Sequence, residues 1–224
     1  MFRRTSWASG VVGLMICLGG PAGAAVIAYT GTGATAGANT GNLNIGRQFS
    51  VTGTGITLRE LGVWDAGGDG LVNAHTVTFF AINSGAGAAN ANVTPVSGGS
   101  LSVPAGTAAP LNTGFRFATL TTPIFLAPGN YSAVAYGLNA GGGDPFGNGG
   151  GFPANGNVTD IRFDPFQFTA STSPTYPTGG DANNHTGASF TYDLGNTVPE
   201  PGAIGAAGVV GLLAAGRRRA RRAR

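Results

Sequence analysis

The sequence has no lysine, and charged residues of either sign make up only 9% of it. An average soluble domain carries about 25%. All twelve basic residues are arginines, and eight of them sit at the ends: Arg3 and Arg4 at the start, then Arg217, Arg218, Arg219, Arg221, Arg222 and Arg224. Between residues 25 and 197 four arginines face eight carboxylates, a net charge of −4, so the basic pI of about 9.5 belongs to the termini. A body without a basic stripe excludes nucleic acid as a partner. Cysteine occurs once, at Cys17, and histidine twice, at His75 and His185. That excludes a Cys/His zinc cluster of the usual spacing. There is no G-x-S-x-G elbow and no H-E-x-x-H run, so the common hydrolase motifs are missing. No segment of the body shows the 3.6-residue apolar period of an amphipathic helix.

What is present starts at the N-terminus. Residues 1–24 combine Arg3 and Arg4, an apolar run from Val11 to Leu18, the breakers Gly20 and Pro21, and the small-x-small triplet Ala22-Gly23-Ala24. This is the pattern of a secretory signal peptide, with signal-peptidase cleavage expected after Ala24. The residues around Arg3-Arg4 fit a twin-arginine signal poorly, and Ile16 before Cys17 departs from a lipoprotein box. Cleavage removes Cys17, so the exported chain has no disulfide, and packing or bound ions must hold the fold.

At the other end, Gly202 to Gly216 is uncharged and apolar. As a helix it would reach roughly 22 Å, short of the roughly 30 Å hydrocarbon core of a bilayer. The arginines of 217–224 would stop transfer and stay cytoplasmic. The segment therefore reads as a weak inner-membrane tether, with residues 26–201 outside. Pro199-Glu200-Pro201, the Gly/Ala-rich helix and the terminal Arg cluster together resemble the PEP-CTERM sorting signal of Gram-negative bacteria. That resemblance covers about 27 residues. It implies processing near Pro199, Glu200 and Pro201 by an exosortase, and delivery to the cell surface or an exopolysaccharide matrix.

The body is expected to be all-β, an antiparallel β-sandwich or jelly roll in one domain over 43–193, after a flexible Gly/Thr-rich arm at 25–42, whose run 30–42 could alternatively form an edge strand, and before a linker at 194–201. Short β-branched and aromatic runs alternate with Gly, Asn, Pro and Asp. Strands are expected at 43–51, 56–64, 75–83, 100–104, 114–120, 122–126, 130–138, 158–163 and 187–193. Pro123 and Pro128 flank one of them, which marks an edge. Residues 139–157 form a long Gly/Asn-rich loop. The run LGVWDAGGDGLVNAHTVTFF at 61–80, with pieces at 118–136 and 185–192, resembles segments of exported bacterial β-sandwich proteins.

Two readings compete for Asp65 and Asp69. A tight Gly-containing loop with two carboxylates suits Ca²⁺, yet Gly67 and Thr76 fall where an EF-hand needs ligands. The favoured alternative is a hairpin connection in which Asp caps backbone N–H groups and Gly takes positive φ. His75 and His185 are expected to be structural or solvent-facing. Asp160 and Asp164 would lie about 13 Å apart on one strand, too far for a glycosidase pair. Trp64, Tyr131, Tyr136, Tyr176 and Tyr192 are either a sugar-stacking platform or core, with core favoured. The chain is thus expected to be a non-enzymatic structural or adhesive protein, with a carbohydrate-binding module, calcium-dependent or not, as the alternative and a polysaccharide hydrolase behind both.

Overall fold

The computed structural model describes residues 25–150, 157–168 and 175–195. The signal peptide with Ala24, Pro199-Glu200-Pro201, the apolar segment and the Arg tail lie outside the described residues. Among the described residues no helix is long and apolar enough to cross a membrane.

Among the described residues fifteen strands appear in chain order: β1 (Val26–Ile27), β2 (Thr35–Ala36), β3 (Leu43–Val51), β4 (Ile56–Trp64), β5 (His75–Ser84), β6 (Asn92–Val103), β7 (Leu111–Asn112), β8 (Phe115–Leu126), β9 (Gly129–Leu138), β10 (Gly147–Asn148), β11 (Val158–Asp160), β12 (Asp164–Phe168), β13 (Gly179–Asp181), β14 (His185–Thr186) and β15 (Ala188–Leu194). Every pairing is antiparallel. One sheet runs β1-β15-β4-β8-β7 and the other β13-β12-β3-β9-β5-β6, with β11 also on β3; a small third sheet runs β14-β10-β2. The two large sheets share one hydrophobic core, the layered plan of a β-sandwich.

The core follows from period-2 alternation. In β3, Leu43, Ile45, Phe49 and Val51 point inward, and Leu58 of β4, Val77 and Phe79 of β5 and Phe190 and Tyr192 of β15 meet them. Phe190 is the hub, with ring centroids 4.8 Å from Phe49, 5.0 Å from Phe79 and 5.8 Å from Tyr29. Ala133 and Ala135 on β9 leave room for those rings. Gly46 lets β9 approach: a Cβ there would lie 2.6 Å from the Ala133 carbonyl. A second cluster, Phe80, Val134 and Tyr136, sits on the outer face of the β9–β5 pair under Tyr176.

Several expectations change. The arm at 25–42 is built into the fold: it contributes β1 and β2 and buries Ala28 and Tyr29. Strand 100–104 begins at Asn92, with exposed Pro95 on the outermost strand, where a missing N–H costs no ladder bond. The pieces 114–120 and 122–126 are one strand, β8, whose register on β4 shifts between Leu58 and Glu60. Beyond the short β7 its outer side has no partner strand among the described residues, so the edge marked by Pro123 is real. The strand expected at 158–163 ends at Asp160. Arg162 takes φ 57°, and β12 starts afresh at Asp164.

Candidate functional site

Polar groups buried in a chain without disulfides gather at three places, organised by Arg116, His75 and Arg47.

The first is Arg116. Its Nε donates to Asp65 Oδ2 at 2.6 Å, its Nη2 to the Gly68 carbonyl at 2.8 Å and its Nη1 to the Ala109 carbonyl at 3.0 Å. Asp65 also accepts from the Gly70 N–H at 3.1 Å, the backbone capping expected of it. Gly67 and Gly68 take φ of 83° and 75°, as the tight 3₁₀ turn over Ala66–Gly68 requires. The segment is not a hairpin, however: it carries the chain from β4 in one sheet to β5 in the other. With a guanidinium against its buried carboxylate, Asp65 has its counter-charge from within the chain. Asp69 does not join it in a ligand cluster; among the described residues Asp164, Asp181 and His185 form the one such group.

The second is His75 at the start of β5. Its Nδ1–H donates to the Tyr136 carbonyl at 2.9 Å, and its Nε2 lies 3.0 Å from Asp144 Oδ2. Asp144 also accepts from the Val72 and Asn73 N–H groups at 2.7 and 2.8 Å. Burial pushes the Asp144 carboxyl up, but the His75, Val72 and Asn73 bonds outweigh it and hold the group below the ordinary range. The pair fastens the 139–150 loop to β5, a structural post for His75.

The third is Arg47. Its Nη2 and Nε donate to the two oxygens of Asp160 at 2.5 and 2.9 Å, and its Nη1 donates to Asp164 Oδ1 at 2.6 Å. Asp160 and Asp164, expected to lie far apart along one strand, converge on one guanidinium because the chain breaks between β11 and β12. The register explains the meeting. Phe166 pairs with Ile45, so Asp164 falls opposite Arg47, and Asp164 in turn pairs with Asp181 on β13. His185 follows on β14, its N–H donating to Asp164 Oδ2 at 2.9 Å. Burial pushes the Asp164 carboxyl up to about 7, against the opposing pull of Arg47 and the His185 N–H. Burial lowers the His185 imidazole; Asp181 partly offsets this and Arg47 adds to it. Arg47, Asp160, Asn184, His185 and Thr186 line an open cleft of about 210 Å³.

The aromatic residues proposed for sugar stacking do not form a platform. Trp64, Tyr136 and Tyr192 are buried, while Tyr131 and Tyr176 are half-buried in different places. The Arg47–Asp181–His185 grouping escaped the sequence reading. Its one local signal was two acids and a histidine near Gly/Asn turns, and cross-strand register joins residues more than 130 positions apart.

Compared with protein-family models, curated proteins and solved structures, the chain matches none.

Proposed function

We propose that the chain is a non-enzymatic exported protein, sorted by an exosortase through its C-terminal signal to the cell surface or extracellular matrix, where the β-sandwich body is a structural or adhesive element of exopolysaccharide. One observation carries this reading: a Pro-Glu-Pro motif, an apolar segment and an Arg cluster end a chain that begins with a signal-peptide pattern. Two features of the body support it. The fully buried carboxylates are each held by an arginine, a histidine or backbone N–H groups, which suits rigidity in a chain without disulfides. Asp160 and Asp164 share one guanidinium rather than flanking an open space, as a glycosidase pair must.

A carbohydrate-binding module is the second reading, favoured by the polar cleft beside Arg47 and His185. Calcium at Asp65 and Asp69 has less support, because Arg116 already neutralises Asp65.

Deleting residues 199–224 tests the sorting reading. The truncated protein is expected to be released or misrouted when cell fractions are compared by immunoblot. Unchanged localisation would refute it.

A further inference from the structure

The cross-strand pair Asp164↔Asp181 sets two carboxylates directly opposite each other on β12 and β13. Like charges in that position repel and destabilise a sheet. Arg47 compensates only in part, since it already faces Asp160 as well as Asp164. Asp181, for its part, makes no salt bridge to an arginine among the described residues.

His185 stands beside the pair. Its Nδ1 is buried, makes no hydrogen bond, and lies 3.9 Å from Asp164 Oδ2 and 3.7 Å from Asp181 Oδ1. The ligand atoms of the three residues all lie within 4.8 Å of one another. The imidazole is fixed in that direction by the rings of Phe146 and Phe166, which meet it edge-on at 5.1 and 6.0 Å. Each carboxylate is oriented too. Arg47 holds Asp164 by Oδ1, and Asn183 donates its N–H and side-chain amide to Asp181 at 2.9 and 2.7 Å. Outer partners of this kind aim the ligands of metal sites.

We propose that Asp164, Asp181 and His185 bind a divalent transition metal of the zinc class. A divalent cation at their centre would relieve the opposed carboxylates and give the orphan Nδ1 a partner. One imidazole nitrogen with two carboxylate oxygens suits Zn²⁺, whereas Ca²⁺ takes six to eight oxygens. Bonds of about 2.0–2.2 Å to one zinc place neighbouring ligand atoms about 3.4 Å apart, so the His185 spacings of 3.9 and 3.7 Å need close only slightly, while the two carboxylate oxygens, within 4.8 Å, draw together as the metal enters. Three protein ligands leave a fourth position for water or an outside donor, and the cleft that His185 lines gives access to it. The site is independent of the sorting signal.

The test is calorimetric titration of Zn²⁺ into the full chain, stripped with EDTA, desalted and held in mild detergent. Saturable binding of one equivalent is expected. Asp181→Asn and His185→Gln should each weaken it by about tenfold or more. Asp181 is partly exposed and the amide is isosteric, so D181N keeps the fold, checked by far-UV circular dichroism. A dissociation constant weaker than about 1 mM, equal affinity in both variants and parent, or displacement of Zn²⁺ by Ca²⁺ would each overturn the assignment.

Discussion

Arg116→Met removes a guanidinium whose side chain is 5% exposed and leaves Asp65, 2% exposed, as a buried carboxylate with no cation. Breaking a buried pair from one side costs about 3–5 kcal/mol, and the Gly68 and Ala109 carbonyls lose their donors as well. A domain of this size has about 5–15 kcal/mol in all, so the variant should fold with a much lower urea midpoint. Asp65→Leu should cost about as much, because it strands the guanidinium instead. The double variant removes both charges, and its cost should not exceed that of either single change, a coupling of about 3 kcal/mol or more. Urea unfolding with a constant slope measures all three. Single costs that simply add, within about 0.5 kcal/mol, would refute the argument that the pair matters as a pair. In the same assay about 1 mM Ca²⁺ should leave the parent midpoint unmoved. A calcium-dependent rise that Asp65→Asn abolishes would restore the calcium reading of Asp65 and Asp69.

Phe190→Ala should cost about 3–5 kcal/mol by urea unfolding, because it opens a cavity among Phe49, Phe79 and Tyr29; Phe125→Ala, at an exposed edge position, should cost less than about 1 kcal/mol. Burial raises all five tyrosines above their ordinary pKa, Tyr192 to about 12. Phenols raised in the folded state contribute stability that is full below about pH 10 and is lost as pH rises through the folded values, so absorbance titration should show little phenolate until the chain unfolds between about pH 10 and 12 or above. Normal titration of several tyrosines at about pH 10 in folded protein would contradict their burial.

Much of the fold was legible in the sequence. Strands 43–51 and 56–64 fall where alternating Leu, Ile, Phe and Val place them, and β5 and β9 differ from expectation by one residue. These strands are central, so their inward faces must be apolar and the period shows. Edge strands carry no such obligation. The outer half of β6, with Pro95, Gly98 and Gly99, is mostly exposed and reads as a loop until β5 supplies its ladder. Two-residue strands such as β1, β2, β10 and β14 are too short to carry a pattern at all. The sequence by itself determined the signal-like termini, the β class and the core of the long strands, because composition and local alternation encode each of them. Only the tertiary structure decided what the charges do. Asp65 turns to Arg116 and Asp144 to His75, while Asp164, Asp181 and His185 are gathered beside Arg47. Register between distant strands sets those distances, and no spacing along the chain contains it.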